Sequence, residues 1–124
     1  MNLSILPHSL SIARLSPDQQ IPELVWQDKT FLSITYTTDE LSIVCSTSSV
    51  PADQSSEAGW VAIKVQGPLD FSLTGILSSL IGPLAASSIP IFAVSTFDTD
   101  YILIKQEYLF QAKETFEQAG HIFL

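Results

Sequence analysis

An α+β fold, its C-terminal half running strand, helix, strand, strand, helix, strand, is what this chain predicts, on three observations. Leu73, Ile76, Leu77, Leu80, Ile81, Leu84 and Ala85 recur at the 3.6-residue period of an amphipathic helix. Pro90 to Phe97 and Tyr101 to Lys105 are β-branched and aromatic runs around Asp98-Thr99-Asp100, whose side chains suit a tight turn, so a hairpin follows that helix. Helical spacing then returns from Glu107 to Ala119 through Leu109, Ala112, Phe116 and Ala119.

In chain order, Ser9 to Leu15 alternates as a strand does, and Pro17 to Trp26 leaves room for one short helix. Phe31 to Tyr36 and Leu41 to Cys45 form a first hairpin. Ser46 to Gly59 is a low-hydrophobicity run of Ser, Pro, Ala, Asp and Glu and reads as a linker or loop. Val61, Ile63 and Val65 alternate with Ala62, Lys64 and Gln66, predicting a half-exposed strand. The helix is expected from about Ser72 to Ser87, kinked or ended early by Pro83, whose ring meets the carbonyl four residues back. Gly120 is placed to cap the last helix in the left-handed conformation, before a short final strand from His121 to Leu124.

The 124 residues include 13 acidic and 5 basic side chains, a net charge of -8, with 46% hydrophobic and 15% charged residues. That hydrophobic content excludes disorder for most of the chain, and the length allows one compact domain or two small ones sharing a core. The acidic balance leaves no basic patch to neutralise phosphates, which excludes nucleic acid and anionic membrane surfaces as partners. Residues 71–97 carry no formal charge, yet Ser, Thr, Gly and Pro interrupt them too often for a membrane span. The first fifteen residues lack the basic start and cleavage site of a secretion signal. A single cysteine, Cys45, forms no internal disulfide, so a reducing, cytoplasmic setting is the expectation.

An offset of 61 residues aligns the two hairpins. It pairs Phe31 with Phe92, Thr35 with Thr96, Thr38 with Thr99, Asp39 with Asp100 and Ile43 with Ile104. A duplicated βαββ-type unit is expected, complete only in its second copy. The expected domains are an incomplete N-terminal repeat with linker at 1–59 and a complete one at 60–124.

Gly67 to Leu77, Gly82 to Ala85 and Ile91 to Ile104 resemble the small tandem ACT-domain proteins related to the CASTOR arginine sensors and to the regulatory tails of aspartate kinases. The resemblance covers Trp60 to Leu124 and, more weakly, Leu3 to Cys45. It implies a ferredoxin-like ACT fold of βαββαβ order, a tandem arrangement with an incomplete N-terminal repeat, and a homodimer. The implied function is non-enzymatic and regulatory: an amino acid bound at a seam between ACT units. The strand-to-helix turn through Ser72, Leu73, Thr74, Gly75 and Ile76 would offer backbone N–H groups to its carboxylate. Thr96, Phe97 and Asp100 match positions that line the arginine sensors' pocket, where Asp100 would accept from a ligand cation. Leu73 stands where those sensors carry an acid, so a neutral or apolar amino acid, or no ligand, fits at least as well as arginine.

Each of these residues also has a purely structural reading. Asp100 suits a turn for local reasons, and Thr96 and Phe97 are ordinary strand formers. Gly75 serves either close approach of a ligand or packing. Cys45, His8 and His121 have no catalytic or metal-ligand spacing, and no metal or cofactor is implied. The alternative function is a structural module in which the Ser-rich helix face and the sheet edges bind a protein partner without a small molecule.

Overall fold

The structure is a computed structural model that describes residues 1–67 and 75–124. It contains strands β1 (Asn2–Ile5), β2 (Leu10–Leu15), β3 (Ser33–Tyr36), β4 (Leu41–Ser46) and β5 (Glu57–Val65), then helix α1 (Ile76–Ala86). Strands β6 (Phe92–Ser95) and β7 (Asp100–Lys105), helix α2 (Leu109–Gln118) and strand β8 (Ile122–Phe123) follow. Two compact units result, one from Met1–Pro7 with Val61–Leu124 and the other from His8–Trp60. Strand β5 supplies residues to both.

In the unit containing the C-terminus, β5, α1, β6, β7, α2 and β8 follow the predicted order, an α+β, ferredoxin-like arrangement. Strand β7 pairs with β5 and β6, while β1 pairs antiparallel with β5 and parallel with β8. The N-terminal strand, with no place in the predicted order, therefore lies between β5 and β8. Its role is plain in Leu3, fully buried opposite Val65 and packed with Ile63, Leu80, Leu84, Ile102, Ile104, Ala112 and Phe116 in one apolar core.

Pro83 neither ends α1 nor shortens it, since the helix runs on to Ala86. The bond Pro83 cannot make belongs to the carbonyl of Ser79, an exposed residue within reach of water, and fully buried Leu80 and Leu84 fix the helix on either side. Strand β5 also departs from its half-exposed prediction. Ala62 is as fully buried as Ile63 and Val65, because the strand is interior, flanked by β1 and β7. Gly120 takes φ +94 just beyond α2, the left-handed stop expected of it.

In the His8–Trp60 unit, β4 pairs with β2 and β3, and β2 pairs with the start of β5 through Leu10↔Trp60 and Ile12↔Glu57. Ala13, Leu15, Val25, Leu41, Ile43 and Cys45 form its core. The short helix predicted over Pro17 to Trp26 is reduced to a 3-10 turn at Glu23–Trp26 that begins after Pro22. Pro17 and Pro22 have no N–H to donate, so a regular helix through both would lose ladder bonds. Of the predicted linker, Thr47–Ser49 forms another 3-10 turn, and β5 already starts at Glu57.

The two hairpins match residue by residue. Tyr36 pairs with Leu41 and Ser95 with Asp100, and each pair closes a four-residue turn. The hairpins thus correspond at an offset of 59 residues, not 61. In both turns a threonine organises the loop: Thr37 N–H donates to Glu40 O at 2.9 Å, and Thr96 N–H donates to Thr99 O at 2.9 Å. Both second strands then run into a 3-10 turn, Thr47–Ser49 in one copy and Gln106–Tyr108 in the other, entered through nearly identical dihedrals at Ser46 and Lys105. The sequence offset of 61 slips by two because a shift of two preserves every in-or-out position on a strand.

Candidate functional site

Gly75 stands at the N-cap of α1 with φ +75 and ψ 1, a left-handed conformation that a side chain adopts only at a cost. Nothing lies within 4 Å of where its Cβ would sit, so the position demands glycine for its backbone angle, not for space. Behind it, Ser79 N–H donates to Gly75 O at 2.8 Å, closing the first turn. The N–H groups that open the helix have no partner within it and face outward along the axis, as at any helix start. No side chain among the described residues caps them. Ile76 tucks against the core beside Leu77 and Ile81. Ser72, Leu73 and Thr74, the other predicted members of this turn, lie outside the described residues.

The β6–β7 turn carries the remaining predicted residues. Thr96 Oγ1 donates to Thr99 O at 3.1 Å, which spends its hydroxyl on the turn itself. Phe97 is 79% exposed at the tip. Asp100 is not a turn residue, as first read, but the opening residue of β7, on the same face as core residues Ile102 and Ile104. Its Oδ1 accepts from Ser95 Oγ at 2.6 Å across the pair that closes the hairpin.

Asp100 has no acidic equivalent in the first hairpin. Its counterpart in the first hairpin is Leu41, fully buried, whereas Asp39 corresponds to Asp98 at the turn tip. The turn-forming aspartate is therefore Asp98, and Asp100 is an acid that the first copy replaces by a core leucine. Two residues that sequence reasoning missed complete the arrangement. Ser95 orients the Asp100 carboxylate. Thr99, 4% exposed, donates from Oγ1 to Val65 O at 2.6 Å and so fixes the turn to the end of β5. The turn therefore sits at the C-terminal end of β5.

Cys45 is not poised for nucleophilic work. It is 1% exposed, and burial first, then the nearby charge of Asp28, raises its thiol above the ordinary value. Iodoacetamide at mildly alkaline pH is expected to label Cys45 slowly in the folded protein and promptly in denaturant. Prompt labelling of the folded protein would contradict this burial. The described residues hold no group of three or more His, Cys, Asp or Glu able to bind a metal, and no helix among them is long and apolar enough to cross a membrane.

Comparison with known proteins adds independent findings. A family model described as an ACT domain, ACT_7, matches residues 55–118, and a second model, of an N-terminal domain, matches residues 8–53. The human protein CASTOR3P is 33% identical, with 75% of this chain and 67% of that protein covered. A crystallised protein of Agobacterium tumefaciens is 44% identical with a TM-score of 0.92, covering 99% of this chain and 91% of that one. The ligand-free regulatory subunit of aspartate kinase from Thermus thermophilus shares the fold at 14% identity, with a TM-score of 0.61 over 95% of this chain and 96% of that one.

Proposed function

From the premise that this chain belongs to the ACT-domain family, we propose that it is a non-enzymatic regulatory module that binds an amino acid at an interface between ACT units and forms a homodimer. Ser72, Leu73, Thr74, Gly75 and Ile76 take the ligand's backbone carboxylate at the start of α1, and Thr96, Phe97 and Asp100 take its amino end. The ligand's ammonium meets Asp100, and its side chain is neutral or apolar because Leu73 lacks the acid that a guanidinium requires.

The observation that carries this reading is Asp100. A half-buried carboxylate, held by Ser95 and absent from the first hairpin, opens β7 directly after Thr99, which ties the turn to the end of β5. A fold needs no acid at that position, since the first hairpin closes with leucine there. A helix start takes an anion and a carboxylate takes a cation, the two groups that amino-acid recognition requires.

Thermal shift and calorimetry against the proteinogenic amino acids, one at a time, test the proposal. Saturable stabilisation by one or a few neutral or apolar amino acids at millimolar concentration or below is expected, together with a dimer in light scattering. No stabilisation by any of them would end this reading.

A second reading rests on a separate observation. Helix α1 has no charged residue, and its exposed positions include Ser78, Ser79, Gly82, Ala85 and Ala86, a surface that resists no partner. A structural interaction module without a small-molecule ligand would use that face. Recovery of one stoichiometric protein partner, insensitive to every added amino acid, favours it over the first.

A further inference from the structure

We propose that Thr99 is the positioning residue of the amino-acid site, the side chain that holds the β6–β7 turn, and with it Asp100, to the end of β5. The inference rests on the site reading above and adds to it a residue that touches no ligand. Thr99 is one of the few buried polar side chains described, at 4% exposed, and its hydroxyl donates to Val65 O, 34 residues earlier in the chain, at 2.6 Å. Its carbonyl meanwhile accepts from both Thr96 N–H and Thr96 Oγ1, at 2.9 and 3.1 Å. One residue thereby joins the loop carrying Thr96 and Phe97 to the last residue of β5, and Asp100 follows it directly.

The first hairpin supplies the contrast. The same loop framework exists there, with Thr37 N–H and Oγ1 both donating to Glu40 O. Glu40 occupies the position of Thr99 and is only half-buried, and that turn's side-chain link is Arg14 Nη2 donating to Asp39 O at 3.0 Å on an exposed surface. The shared framework builds a turn in either copy. The buried hydroxyl is added in the copy that also carries Asp100, so it is not required for the hairpin itself. A bond of that length to a buried carbonyl leaves the turn little freedom relative to β5, and a site spread over two segments needs that constancy.

Thr99→Val keeps the side chain's shape and removes the hydroxyl, while Thr99→Ser keeps the hydroxyl. Calorimetric titration of wild type and both variants with the amino acid that most stabilises the wild type reads the effect, with thermal unfolding of the free proteins recorded alongside. The expected result is an affinity about tenfold weaker in Thr99→Val and restored in Thr99→Ser. Equal affinity in Thr99→Val and wild type, with only the unfolding temperature lowered, would make Thr99 a structural residue and overturn the inference while leaving the site reading standing. A wild type that responds to no amino acid would overturn both.

Discussion

Phe116→Ala is expected to lower the unfolding free energy by about 3 to 5 kcal/mol, the largest effect of any single substitution considered for this chain. Phe116 is fully buried in the core of the C-terminal unit with Leu3, Leu80, Leu84 and Ile104, and its ring meets Phe123 at 6.0 Å and His121 at 5.8 Å. Alanine there removes the ring's burial and leaves a cavity between α2 and strands β1, β5 and β7, which cannot close without breaking strand pairing. Urea unfolding measures it. Phe110, on the same helix but 76% exposed, is the control, and its alanine variant should stay within about 0.5 kcal/mol of wild type. A Phe116→Ala loss as small as that of Phe110→Ala would mean that α2 does not seat on this core.

The second large effect falls on binding. Asp100→Asn keeps the size and the bond from Ser95 but removes the charge that attracts a ligand's ammonium. A charge-assisted hydrogen bond contributes about 1.5 to 3 kcal/mol, so affinity for the stabilising amino acid should fall about ten- to a hundredfold. The fold should be unaffected, because the first hairpin closes with Leu41 at the same position. Asp98→Asn, at the exposed tip, should bind as wild type does. If the two variants lose affinity equally, the cause is the general negative charge of the chain, not a site.

These expectations could be framed because the C-terminal elements announce themselves in sequence. Apolar residues at helical spacing, the β-branched runs of β6 and β7 and the glycine after α2 each express a local physical demand, and the structure meets each. Three features were not legible, for different reasons. The seat of β1 depends on partners more than fifty residues away, as in Leu3↔Val65, and nothing in Asn2–Ile5 encodes that pairing. Helix α1 passes through Pro83 because packing at Leu80 and Leu84 overrides a local penalty. The likeness of the two hairpins is visible in sequence but two residues out of register, since strand periodicity alone tolerates that slip.

The same slip concealed part of the site. With Asp39 set opposite Asp100, both looked like turn formers; with Asp39 opposite Asp98, Asp100 becomes a strand carboxylate without a counterpart. Ser95 and Thr99 carry no signal as isolated residues. Pairing the strands across a four-residue loop would have exposed Ser95, which then faces Asp100, but the bond from Thr99 to Val65 depends on β7 lying beside β5. Residue types at the turn were readable, and their division into turn formers, ligand groups and anchors was not.

Amino-acid recognition between the α1 N-terminus and Asp100 can be seen or excluded in a crystal structure of the wild-type protein grown with a mixture of the proteinogenic amino acids. Density is expected for a neutral or apolar amino acid, its carboxylate on the backbone N–H groups that open α1 and its ammonium within hydrogen-bond distance of Asp100. An amino acid bound at another place, or Asp100 facing solvent with that end of the unit empty, would contradict it.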